Sequence, residues 1–138
     1  MNEVLVDTGP LVAYLDRSDR DHLWAKESLQ KLTRPLLTCE AVIAETLFLL
    51  HRGGISPDAL LQLIARGIVI PDFSLRAEIE SIQGLMKTYR NLPMSLADAC
   101  LVRLAEFHEN STVMTLDSDF SIYRKFRRRT IPLLRPER

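Results

Sequence analysis

The sequence has no excess of charge of either sign. Lys and Arg total 18 and Asp and Glu total 18, so the formal net charge is zero. A uniformly basic coat of the kind that wraps nucleic acid is therefore excluded, and any such contact must come from a local patch. Cysteine is scarce. Cys39 and Cys100 are the only two, neither belongs to a C-x-x-C pair, and no Cys/His cluster has zinc-finger spacing. Both lie in apolar surroundings, which points to buried free thiols. The three histidines, His22, His51 and His108, show no spacing that suggests a ligand set, and surface or helix-end roles are expected of them. No apolar run approaches the ~20 residues that span a bilayer, and the opening lacks the basic start and longer apolar stretch of a signal peptide. The expectation is a soluble, cytoplasmic protein without membrane contact.

What is present is an ordinary globular balance, 46% hydrophobic and 26% charged over 138 residues. That length suits one domain, taken as residues 1–138, with enough apolar material for a core. Val4-Leu5-Val6 reads as a short buried strand that stops at Asp7-Thr8-Gly9-Pro10. Helices are expected over 11–15, from the 19–21 caps to about 32, over 40–52 (closed by Gly53-Gly54), and from Ser56-Pro57-Asp58 to Gly67. Further helices are expected over 75–89, 96–108 and 120–126. Strands are expected over 36–38, 68–70, 112–116 and 130–134, the last an edge because of Pro132. Strands alternate with helices, so the fold class is α/β with a central, mostly parallel sheet.

Two acids stand at the carboxyl ends of expected parallel strands: Asp7 after Val4-Leu5-Val6, and Asp117 after Val113-Met114-Thr115-Leu116. Ligands of open α/β sheets bind outside those ends. Two such carboxylates would repel, and a divalent cation removes the conflict; hard oxygen ligands favour Mg²⁺ or Mn²⁺. Glu45, in the apolar helix around Ala41-Val42-Ile43-Ala44, and Asp98, in the first turn after Ser95, fit the same site. Each has an alternative. Asp98 serves equally as a capping-box acid, Glu45 as a solvated helix position, and Asp7 and Asp117 as turn formers. The metal reading rests on the set.

Four segments in order carry a family likeness. They are Val4-Leu5-Val6-Asp7-Thr8-Gly9-Pro10, Ala44-Glu45-Thr46-Leu47, Ser95-Leu96-Ala97-Asp98-Ala99 and Thr115-Leu116-Asp117-Ser118-Asp119-Phe120. Together they resemble the PIN-domain family, nearest the short forms that include VapC-type toxins. The resemblance implies a divalent-metal-dependent endoribonuclease that hydrolyses RNA phosphodiester bonds. Asp7, Glu45, Asp98 and Asp117 would form its acidic quartet, with Asp119 an auxiliary metal ligand. Thr8 and Thr115 would orient metal, water or phosphate. It also implies a homodimer and, for a toxin, a cognate antitoxin protein.

The basic run from Arg124 to Arg129 follows Asp117 closely, and Arg127 and Arg128 are candidates for RNA phosphate contacts; a solvated edge or an ion-pair role is the alternative. The helix beginning at Ser56 carries Leu60, Leu61, Leu63 and Ile64, which could serve a partner, although the core has first claim on them. Trp24, Phe48, Phe73 and Phe107 are read as core or interface. Two rival functions are a non-catalytic PIN-fold binding module and a Mg²⁺-dependent phosphatase. The latter needs a D-x-D first motif, and Asp7-Thr8-Gly9 lacks its second acid.

Overall fold

The β-branched, apolar run near the N-terminus becomes the middle strand of the molecule. In a computed structural model that describes residues 3–138, β1 (Glu3–Val6) is flanked by β2 (Leu36–Thr38) on one side and β4 (Ser111–Met114) on the other. Beyond them lie β3 (Val69–Pro71) and β7 (Leu133–Leu134), giving the order β3-β2-β1-β4-β7 with every pair parallel. The register sets Val4 beside Leu36 and Thr112, and Val6 beside Met114. Leu5, Val6, Val113 and Met114 are fully buried, which is the pattern of a parallel sheet covered on both faces.

The covering helices are α1 (Thr8–Leu15), α2 (His22–Gln30), α3 (Glu40–Arg52), α4 (Asp58–Ala65), α5 (Ile79–Thr88) and α6 (Leu96–Phe107). α6 is the most deeply embedded, with Ala97, Ala99, Leu101, Val102, Leu104 and Ala105 all buried. Its small residues let the helix approach the sheet closely. Gly67, at φ +72°, ends the turn after α4 as the sequence suggests. His22 opens α2, with its Nδ1 2.8 Å from the Ala13 carbonyl oxygen.

Three expectations change. The 75–89 helix is shorter, because Glu78 stands at its N-terminal boundary and is tied there by the Arg103 guanidinium at 2.8 Å. Residues 120–126 do not form a helix. A single 3₁₀ turn covers Ser118–Ser121, and an antiparallel hairpin follows, β5 (Arg124–Lys125) with β6 (Arg129–Thr130). The Arg124 guanidinium donates to the Ser121, Ile122 and Tyr123 carbonyls, and so satisfies the backbone that a continuing helix would have used. The expected 130–134 strand is divided accordingly. Thr130 pairs with Arg124, whereas Leu133 and Leu134 form the edge of the main sheet after Pro132.

Leu5→Ala removes a fully buried side chain from the middle strand. It is expected to cost about 3 kcal/mol of stability, read as a lower urea midpoint with an unchanged slope. An unchanged midpoint would contradict the packing described.

Candidate metal centre

The order of the strands creates the site. From β1 the chain moves outward on one side to β2 and β3, then returns to β4 on the other, so a crevice opens at the carboxyl ends of β1 and β4. Asp7 is the residue after β1. Its amide continues the ladder to the Met114 carbonyl at 3.0 Å, and its extended backbone lets it cap α1. One carboxylate oxygen accepts from the Thr8 amide at 2.8 Å, and the other accepts from the Thr115 hydroxyl at 2.8 Å.

Thr115 is the link between the two strand ends. It is fully buried, and its Oγ1 also accepts from the Asp117 amide at 2.9 Å. One hydroxyl therefore sets Asp7 relative to Asp117. Asp117 itself caps the 3₁₀ turn, with Oδ1 accepting from the Asp119 amide at 2.9 Å. Asp98 arrives from α6. It closes a capping box with Ser95, and its Oδ2 accepts from the Ser95 amide at 3.2 Å and from the Tyr123 hydroxyl at 3.0 Å. Capping thus engages Oδ2 of Asp98, and the same carboxylate also lies beside Asp7 and Asp117.

Asp7, Asp98 and Asp117 each offer an oxygen within 4.8 Å of the other two. Among the described residues, none of the three forms an ion pair with Lys, Arg or His. The electrostatic consequence is direct. Burial pushes the Asp7 carboxyl up to about 6; hydrogen bonds from Thr115 and Thr8 oppose that rise, and the Asp98 and Asp117 charges add to it. Asp98 is raised as well, first by burial and further by Asp117. A buried, uncompensated, all-oxygen donor set fits a hard divalent cation.

The other expected residues surround this trio. Glu45 is exposed on α3 and outside the 4.8 Å group, but its Oε2 accepts from the buried Thr8 hydroxyl at 3.0 Å. Thr8 thereby links Glu45 to Asp7, donating its hydroxyl to one and its amide to the other. Asp119 is partly buried and also outside the group. The basic run turns away from the carboxylates along α6. Lys125 is buried with its ammonium on the Glu109 carbonyl, and Arg129 pairs with Glu109 at 3.1 Å. Arg127 and Arg128 are exposed at the hairpin tip, with no ion pair among the described residues.

Tyr123 was not a sequence candidate. It is fully buried, and its ring meets Phe120 and Tyr89 edge-on at 5.2 and 5.1 Å while its hydroxyl holds Asp98. Burial and the neighbouring Asp98 charge raise its pKa, so it stays a hydrogen-bond donor. The signal was the Phe120/Tyr123 spacing after the Asp117-Ser118-Asp119 turn, which an assumed helix conceals. Cys39 and Cys100 are buried free thiols beside each other, and Cys39 is driven far from its thiolate form by that contact and by burial. It supplies no nucleophile.

In metal-free protein, Asp7 has a higher pKa in the fold (about 6) than the ordinary 3.8. The folded state then binds more protons between those values, so stability falls as pH rises from about 4 to 7, by on the order of 3 kcal/mol in all. Thermal melts should show this decline in wild type, and Asp7→Asn or a saturating divalent cation should flatten it. A wild-type profile that matches Asp7→Asn without metal would contradict the electrostatic account.

Comparison with known proteins agrees with this geometry. The PIN-domain family model matches residues 4–125. Ribonuclease VapC26 of Mycobacterium tuberculosis (strain ATCC 25618 / H37Rv) is 30% identical over 116 residues, covering 83% of this chain and 86% of that protein. The crystal structure of Mycobacterium tuberculosis VapC20, a sarcin-ricin loop cleaving toxin, is similar in fold. Its TM-score is 0.73 at 22% identity, over 87% of this chain and 94% of that one.

Proposed function

The chain belongs to the PIN-domain family, and from that premise we propose that it is a divalent-metal-dependent endoribonuclease of the VapC toxin type. The observation that carries the reading is the convergence of Asp7, Asp98 and Asp117 without a compensating cation. These three would hold Mg²⁺ or Mn²⁺. Such an ion supplies Lewis acidity at a phosphate and lowers the pKa of water enough to make a nucleophile near neutral pH.

The chain's own groups do the rest. Thr115 and the Thr8 amide hold both Asp7 oxygens, so that carboxylate cannot rotate away from the crevice. The Tyr123 hydroxyl and the Ser95 amide both hold Oδ2 of Asp98. Glu45 stands on the solvent side, oriented by Thr8, where it can take the proton of an attacking water or hold a second ion. Asp119, in the 3₁₀ turn that Asp117 caps, is an outer acid of the same edge. Hydrolysis then proceeds by attack of water on phosphorus and departure of the ribose oxygen. No serine or cysteine nucleophile is needed.

The partners proposed are RNA, a second copy of the chain and an antitoxin protein, in the cytoplasm. No helix of the described residues is long and apolar enough to cross a membrane. Exposed Phe48 and Leu49 on α3, with Leu61 on α4, support an apolar partner surface. Leu60 is claimed by the core, and Leu63 and Ile64 pack against it.

Purified protein incubated with a mixed RNA pool should cleave with Mg²⁺ or Mn²⁺ and stop with a chelator. Asp7→Asn should lower cleavage by more than about a hundredfold while the fold is kept, since even outer-shell losses at metal sites cost 10- to 100-fold. Equal cleavage by the variant, or cleavage that persists in chelator, would overturn the assignment.

A further inference from the structure

The hairpin after the site creates a second feature. A cleft of about 690 Å³ lies between α5 and the β5–β6 hairpin, with Glu106 of α6 in its floor. Its Tyr89 side is linked to Asp98 through two tyrosines. Tyr89, which caps α5, packs its ring on Tyr123, and its hydroxyl accepts from the Arg124 amide at 2.9 Å. Tyr123 in turn holds Asp98. The other end is at Glu106 and Arg127. Glu106 is two turns from Asp98, about 12 Å along the helix. A stacked strand rises ~3.4 Å per phosphate, so the stretch of α6 from Asp98 to Glu106 matches about three of them.

Its charge balance favours an anion. Lys87, Arg124 and Arg127 line it, and none of them forms an ion pair among the described residues. The Arg124 guanidinium rests on neutral carbonyls. Of the two lining acids, Glu106 is already bound by Arg103 at 3.0 Å and by the Phe126 amide at 2.6 Å. Glu80 alone remains. Ser81 and Thr88 add hydroxyls, and Gly84 leaves open space where a side chain would stand. The hairpin tip is held in an unusual shape to present Arg127. Phe126 and Arg127 both lie in the left-handed region, at φ 52° and 68°, with no glycine to ease it. The bond from the Phe126 amide to Glu106 and the Arg129 guanidinium over the Phe126 ring keep the turn in place.

We propose that this cleft is the path of the RNA strand flanking the scissile bond, gripping its phosphates through Lys87, Arg124 and Arg127 without regard to base identity. The proposal rests on the ribonuclease reading and adds a subsite to it. Arg128, at the same tip but outside the cleft lining, would contribute only long-range charge.

Binding of labelled oligouridine, measured by fluorescence anisotropy in chelator, tests the path separately from cleavage. Two lengths are used, about 4 and about 12 nucleotides, within the range of single-strand site sizes. Lys87→Glu with Arg127→Glu should weaken the longer oligomer on the order of tenfold and reduce its salt slope by about 1.4, and the shorter one, which has the same cations to bind, should weaken in the same direction. Arg66→Glu, on α4's far end, should change neither. In cleavage of long RNA the double variant should raise KM and leave kcat nearly intact. Wild-type binding that is absent, or a double variant that binds the long oligomer with wild-type affinity and slope, overturns the path. Binding through the cleft without metal-dependent cleavage by wild type would instead overturn the nuclease reading and leave the cleft standing.

Discussion

The gathering of three acidic side chains at one sheet edge, two of them buried, is the constraint on which the site's surroundings depend. Asp7, Asp98 and Asp117 come from three different elements and are brought within 4.8 Å by a sheet and helix that bury two of them. Nothing about hydrophobic packing requires acids there. A parallel sheet tolerates them only because its carboxyl edge is also where backbone amides and short hydroxyl side chains are available as donors. Thr115, Thr8, Ser95 and Tyr123 supply those donors, and each restrains a carboxylate that would otherwise turn outward to water. The restraint has the character of preorganisation: the oxygens are fixed before a cation or a phosphate arrives.

The burial of α6 follows from the same constraint. Asp98 reaches the crevice only if the start of that helix lies against the strand ends, and its alanines permit the approach. Tyr123 then has to come back under the helix to satisfy Asp98. The segment after Asp117 therefore bends through a 3₁₀ turn and a hairpin rather than continuing as a helix. The cleft beside that hairpin is a by-product of the route, and its unpaired cations make it suited to a polyanion. Arg127, which lines the cleft with Glu106, is kept about two turns of α6 from Asp98, so it forms no ion pair with the three carboxylates.

The sequence revealed the sheet and the acids well. Short β-branched runs bounded by Asp, Gly and Pro located four of the five main strands to within a residue or two, and the strand-end positions of Asp7 and Asp117 pointed to one edge. Asp98 was legible only as one member of a set, since Ser95 explains it equally well as a cap, and the fold gives it that cap while also placing it beside Asp7 and Asp117. The exposure of Glu45 is one of the two readings the sequence allows, undecided there because α3 is apolar on both sides of it; the exposed face includes Phe48. The hairpin was missed for a physical reason. Residues 124–129 have no glycine, so nothing local announces the left-handed turn at Phe126 and Arg127; tertiary bonds from Glu106 and Glu109 impose it. Tyr123 was hidden for the same reason.

The central claim is that these three carboxylates form one divalent-cation site, and titration of Mn²⁺ followed by electron paramagnetic resonance tests it without reference to any RNA. Wild type should bind the ion at neutral pH. Asp98→Asn should weaken that binding by at least about a hundredfold, more than an outer-shell change would. Asp16→Asn, at the exposed end of α1, should leave it unaltered. Equal Mn²⁺ affinity in wild type and Asp98→Asn would contradict the account, because it would separate the buried acids from the metal they are arranged to hold.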